Sequence, residues 1–422
     1  MKTNASRWIL MLALVLGASA QAQHEGHGQG TAGGSKRRPP PLSIGATLAP
    51  DGSLWVVGLD KEQRLTARST TDEGKSWSPE RLIATGQDKI AADGENRPKI
   101  AFGPKGYAVI TYTEPLARPY TGQIRMLRST DGGQTFTAPF TVHADRQLIT
   151  HRFESVAFDS RGTLHTLWID KRDLEAQLAA QPKPADAGSA ARAASGPVGR
   201  RSKPAVDYRG AAVYRNESTD GGQTFGADIK LADHSCECCR IALAPAPDGG
   251  LVALWRHVFA PNERDHAFAA VRATAAEPVR ATLDRWAIDA CPHHGPGLAP
   301  AAGGGYHAVW FGQRGSEMHA RYGRLKADGS PTADVRPLPD ETAEHAAVAA
   351  AGPHVVIAWR GFDGQATRWR AWVSSDDGAT FKLRELGSST SDNDHPLLVQ
   401  QGPRILAVWR TLEGVRVERI TP

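Results

Sequence analysis

Cysteine is scarce in this sequence: four residues in a chain of 422. Four cannot serve as the disulfide scaffold of a coreless fold, so their role must be local. A strong charge excess is also missing. Lys and Arg number 50 against 45 Asp and Glu, for a net charge of +5 with no basic block. That argues against a nucleic-acid protein, which presents a basic stripe. Long apolar runs are absent as well. The one apolar stretch, residues 8–16, is too short to span a bilayer, and no later segment is long enough. What is present in quantity is apolar residue, 40% of the chain, which supports real cores and excludes wholesale disorder.

The N-terminus follows the order of a secretory signal peptide: Lys2 and Arg7, then the apolar run, then Ala18, Ser19 and Ala20. Residues 1–20 are therefore expected to be removed on export, and 21–41 to form a flexible polar leader. The expected compartment is the periplasm or the exterior, where thiols are usually oxidised.

One phrase then recurs: a short apolar strand, a Gly- or Pro-containing turn, and a second strand ending in most copies on an aromatic. Its aligned ends are Gly58, Tyr112, Trp168, Trp255, Trp310, Trp359 and Trp409, at spacings of 54, 56, 87, 55, 49 and 50. A period of about fifty built from such strands reads as propeller blades of four strands each. The spacing predicts an all-β single propeller over 42–422, with seven four-stranded blades (six as the alternative). The segment before Ile44 is expected to supply the outer strand that the short last blade lacks. The spacing of 87 is explained by residues 174–207, which are rich in Ala, Pro, Gly and Arg and read as a flexible low-complexity insertion in blade three.

A second motif repeats four times, at Thr70–Trp77, Ser129–Phe136, Ser218–Phe225 and Ser374–Phe381. In each copy a hydroxyl residue is followed two positions later by Asp, then by Gly, a second hydroxyl and an aromatic. The Asp can accept backbone N–H bonds, and the Gly supplies the positive φ of a tight turn.

These motifs make residues 42–422 resemble the Asp-box (BNR repeat) β-propellers of the sialidase superfamily. The resemblance implies that the boxes are structural turns on the face away from the active site. It also implies three arginines gripping a substrate carboxylate, a Tyr–Glu nucleophile pair and an Asp acid/base. The chain departs from that pattern. Blade one begins Pro41-Leu-Ser-Ile44 with no Arg, and the nearest phrase, Asn96-Arg97-Pro98, falls in blade two. No Tyr stands at the nucleophile position, and Tyr112, Tyr120 and Tyr208 are unassigned. For an exo-α-sialidase-type glycosidase the candidates are Arg97, Arg152, Arg240, Glu154 and Asp170.

In a propeller the segments leading into the innermost strands gather on one face. Here those segments hold every cysteine of the chain (Cys236, Cys238, Cys239 and Cys291) and the histidines His293, His294, His345 and His395. Thiolate and imidazole together suit copper or zinc. The other role for the cysteines is disulfide bonding, for example a staple from the 236–239 cluster to Cys291. The arginines have an alternative too, salt bridges to Glu95, Glu154, Glu237 and Asp394. The expected function is ligand binding at this face, sharpest as transition-metal capture. The alternatives are acidic-glycan hydrolysis and a protein-interaction platform whose arm is the insertion. No organic cofactor, nucleic acid or membrane span is expected.

Overall fold

The computed structural model describes residues 41–181, 208–272 and 277–421. The expected signal peptide, nearly all of the expected leader and the insertion beyond residue 181 lie outside the described residues.

Among the described residues seven antiparallel blades follow one another along the chain in six sheets, blades three and four sharing one eight-stranded sheet. Their innermost strands are Gly45–Leu48, Lys99–Phe102, His151–Phe158, Ala242–Pro245, Gly297–Pro300, Glu344–Ala351 and Leu397–Gln401. Each pairs with the next strand in sequence, and each innermost strand neighbours those of the blades before and after it. The last, Leu397–Gln401, neighbours the first, so the ring closes. Second strands such as Leu54–Leu59 and Leu164–Asp170 are buried along their whole length, because both sheet faces are covered by neighbouring blades.

The core is correspondingly divided into seven clusters, one at each blade interface. Trp55 and Val57 of blade one meet Ile110 and Tyr112 of blade two, and Trp369 of blade six meets Trp409 of blade seven. Trp168, Trp255, Trp359 and Trp409 are fully buried. These aromatics are thus wedges between sheets, and their strands run on two to four residues past them. Blades three and four are joined further, since Ser235 at the end of Ile229–Ser235 pairs with His257 of Leu251–Phe259.

The four repeated turns fold alike. In the first, Thr70 Oγ1 donates to Asp72 Oδ1 at 2.7 Å, and Ser76 N donates to the same oxygen at 2.8 Å. Gly74 N donates to Thr70 Oγ1 at 3.0 Å, with Gly74 at φ +85°. The other three copies repeat these bonds. Each turn also docks on the preceding blade. Arg128 of blade two donates to Gly221 O and Asp220 O in the blade-three turn. Arg336 of blade five reaches Gly378 O and Ala379 O in the blade-six turn. The blade-one turn docks on blade seven, where Arg419 pairs with Glu73 at 3.2 Å.

Two expectations are corrected. Blade seven has three strands among the described residues, and residues 41–43 form no strand; the rest of the segment before Ile44 lies outside the described residues. The 7–1 interface is closed by side chains instead. Gln401 Nε2 donates to Ala49 O, Arg404 Nη2 donates to Gly52 O, and Ile44, Leu48 and Val56 pack on Val399, Leu406 and Val408. The insertion, read as low-complexity from 174, opens with an α-helix, Arg172–Ala180. Leu, Glu, Gln and Ala there are strong helix formers, and Asp173 and Glu175 suit the positive end of the helix. No helix of the described residues is long and apolar enough to cross a membrane.

Candidate metal centre at the channel mouth

The Cys236–Cys239 loop joins the outer strand of blade three, Ile229–Ser235, to the inner strand of blade four, Ala242–Pro245. Cys236 N donates to Arg256 O at 2.9 Å, which ties the loop to blade four. Cys291 arrives from the next loop, between Val279–Arg280 and Gly297–Pro300. The four sulfurs meet as free thiols. Cys236 Sγ lies 3.9 Å from Cys238 Sγ and 4.0 Å from Cys291 Sγ, and the sulfurs of Cys236, Cys238 and Cys239 lie within 4.8 Å of one another. The expected staple to Cys291 is not formed in this structure.

Cys236, Cys238 and Cys239 are buried. Hydrogen bonds from the neighbouring thiols, with added help from Arg264, hold Cys236 well below the ordinary thiol pKa. The same contacts push Cys238 and Cys239 well up and Cys291 up to about 12. Two cations flank the cluster. Arg264 Nη1 lies 3.7 Å from Cys236 Sγ, and Arg256 is 1% exposed, donating to the carbonyls of His294 and Phe311. Neither arginine forms an ion pair with a carboxylate among the described residues.

The histidines form a second group. His294 and His395, from the loops leading into blades five and seven, and His345, from the start of the blade-six inner strand Glu344–Ala351, stack as a column. Ring centroids are 4.2 Å apart for His294 and His345 and 3.3 Å apart for His345 and His395. Phe311 extends the column beyond His294 at 4.3 Å. His345 sits at φ +51° inside a β-bulge between Glu344 and Ala347, which aims its ring across the channel mouth. Burial pushes all three imidazoles below the ordinary histidine pKa. His293 is exposed and belongs to neither group. The single Cys/His set expected from sequence is therefore two sets, sulfur at blades four and five, imidazole from five to seven.

The structure places the glycosidase candidates in internal pairs. Arg97 grips Asp394 bidentately at 2.8 and 2.9 Å and reaches His395 Nδ1 at 3.1 Å. Arg240 Nη1 holds Glu95 Oε1 at 2.6 Å, and its Nη2 donates to Ala346 O. Burial works against the Glu95 carboxylate, but Arg240 and His345 keep its pKa below the ordinary value. Glu154 is fully buried and pairs with Lys99 at 3.3 Å. Asp170 is equally buried and accepts from Trp168 Nε1 and Arg172. Arg152 lies over the Phe153 ring. Tyr112 donates to Asp88, and burial followed by that bond raises its pKa, the opposite of nucleophile activation. Tyr208 is bonded to Asp233 with the same effect. The salt-bridge alternative thus describes Arg97 and Arg240, and Arg152 pairs with Asp93 at 3.6 Å, while Glu154 and Glu237 pair with Lys99 and Lys171.

No protein-family model matches the sequence, and no curated protein does. Solved structures do match in shape. A polysaccharide lyase of family PL25, an ulvan lyase bound to -[GlcA(1-4)Rha3S]-, superposes with a TM-score of 0.52 at 10% identity. That match covers 90% of this chain and 94% of the lyase. YCF48 bound to D1 peptide superposes with a TM-score of 0.50 at 15% identity, over 91% and 94% of the two chains. The chain is a β-propeller. At such identities the likeness carries the architecture and leaves activity to the site.

Proposed function

We propose that this is an exported propeller, of the Asp-box type, that captures a thiophilic ion, Cu(I) or Zn(II), in the cluster of Cys236, Cys238, Cys239 and Cys291. The sulfur spacing carries the reading. Four thiolates about 2.3 Å from a tetrahedral zinc stand about 3.8 Å apart. The Cys236–Cys238 and Cys236–Cys291 separations of 3.9 and 4.0 Å are close to that edge. Cu(I), softer still, is suited by three of the same sulfurs. Charge supports the reading as well. A divalent ion with four thiolates carries two net negative charges, and Arg256 and Arg264 stand beside the cluster without carboxylate partners among the described residues.

The test is metal analysis of protein purified without chelator under anaerobic, reducing conditions. One copper or zinc per chain is expected at the cluster. It should be lost in Cys236→Ser and in Cys291→Ser and retained in His293→Ala, whose ring stands apart. Protein that takes up neither metal at the thiols overturns the reading. So does metal binding unchanged by Cys236→Ser together with Cys238→Ser.

A further inference from the structure

The histidine column contains two overlapping groups that could hold an ion: Glu95 with His345 and His395, and Glu344 with His294 and His345. In each, one ligand atom per residue lies within 4.8 Å of the others. Hydrogen bonding separates them. A guanidinium can only donate, so the Arg97 contact makes His395 Nδ1 an acceptor and leaves the proton of the neutral ring on Nε2. His395 therefore offers no free lone pair. Glu95 is held by Arg240 and accepts from His345 Nδ1 at 3.3 Å. A carboxylate can only accept there, so His345 carries its proton on Nδ1 and presents Nε2 as a lone pair.

That arrangement is the one by which outer carboxylates orient metal-binding imidazoles. The lone pair on His345 Nε2 faces Glu344 Oε2 at 4.0 Å, while the other oxygen of Glu344 is anchored by Arg360 at 2.9 Å. His294 completes the group, and its Nδ1 is buried with no hydrogen-bond partner. We infer a second metal site, made of His294, His345 and Glu344, for a borderline divalent ion of the Zn(II) class, with Glu95 as the carboxylate that orients His345. Two imidazoles and one carboxylate suit such an ion and leave further positions for water. The site is chemically distinct from the thiol cluster and stands without it.

Binding must move the ligands. Nitrogen and oxygen ligands about 2.1 Å from a tetrahedral ion are about 3.4 Å apart, so Glu344 and His345 close by about half an ångström. An imidazole lone pair lies in the ring plane. The rings of His294 and His345, now 16° from parallel, must therefore splay out of their stack to share an ion.

The experiment is titration of the reduced full chain with Co(II), following optical absorption and bound cobalt after gel filtration. Thiolate-bound Co(II) gives an intense sulfur-to-metal charge-transfer band, whereas the His–His–Glu site gives only weak ligand-field absorption. Two ions per chain are expected. Glu344→Gln and His294→Ala should each lose one ion and keep the charge-transfer band, and Cys236→Ser should lose the band and keep one ion. Near-UV circular dichroism of the Trp-rich core checks that each variant is folded. Two ions retained in both Glu344→Gln and His294→Ala overturn the inference. So does loss of both ions in folded Cys236→Ser. A wild-type protein without the band that still binds one Glu344-dependent ion leaves this site standing and removes the thiolate reading alone.

Discussion

Arg97 and Asp394 close the ring, and breaking their pair should cost far more than a surface ion pair. Asp394 lies in the loop leading into blade seven, and Arg97 in the loop leading into blade two. Between them sits blade one, whose Ile44 donates its N–H to Asp394 Oδ2 at 3.0 Å and gives its carbonyl to Arg97 Nη1 at 3.1 Å. The side chains are 8% and 2% exposed, and the contact is bidentate. Asp394→Ala leaves a buried guanidinium without its counter-charge and an amide of Ile44 without its acceptor. Removing one member of such a pair costs about 3–5 kcal/mol. Unfolding entropy of about 2.1 cal/mol/K per residue over roughly 380 residues turns that into a fall in Tm of about 4–6 °C. The assay is urea and thermal unfolding of wild type, Asp394→Ala, Arg97→Met and the double variant. The double variant should be less destabilised than the sum of the two single changes, because it leaves no lone charge behind. A cost under about 1 kcal/mol for Asp394→Ala, the range of an exposed pair, would refute the argument, as would strict additivity.

Further outcomes follow from the same geometry. At the docked turns, Gly74→Ala should destabilise by about 1–3 kcal/mol, since φ is +85° and the new methyl would meet Val417 Cγ2 of blade seven at 2.8 Å. Gly132→Ala, at φ +70° with open space around it, should cost less, and equal losses on urea titration would contradict the docking role. Burial pushes His143 and His257 down to about 3, assisted by His151 and His234 respectively. Between pH 6.5 and 3 the unfolded chain binds more protons at these positions than the native one. Their contribution to stability is thus full above 6.5 and lost as pH falls, at up to about 1.4 kcal/mol per pH unit for each. Urea midpoints measured from pH 7.5 to 4.5 should show this slope, and His257→Phe should flatten it by about one such increment; an unchanged slope would count against it. With Arg97 and Arg240 paired internally, fluorogenic sialosides and uronides should not be turned over. Turnover abolished by Glu154→Gln would restore the glycosidase reading.

Much of the fold was legible because it is written locally and repeatedly. The turn at Asp131 needs only residues 129–136 to define itself, and Trp255, Trp310, Trp359 and Trp409 recur in the second strands at spacings of 55, 49 and 50. What escaped was long-range or compositional. Nothing in Leu397–Gln401 and its two partner strands announces that side chains from Gln401 and Arg404 replace a fourth strand in holding blade one. The helix Arg172–Ala180 was hidden because alanine is both a helix former and the main component of the low-complexity stretch that follows. Leu174 and Leu178, one helical turn apart, were the available signal.

The candidate site shows where equivalence of blade position stops being informative. Residues at matching positions share a face, and that is all periodicity can say. Which of them share a ligand depends on neighbour order around the ring and on which lone pairs are already in use. Cys291 and His294 are three residues apart in one loop, yet Cys291 turns back to blade four and the sulfur of Cys236, while His294 turns forward to blade six and the ring of His345. His345 and His395 occupy equivalent positions with similar burial, yet one is oriented by a carboxylate and keeps a free Nε2, and the other is capped by a guanidinium. Glu95 was visible in the sequence only as a salt-bridge partner for arginines, and Glu344 only as the neighbour of His345. The chemistry of this face is set less by the histidines than by the charged side chains that fix their protons.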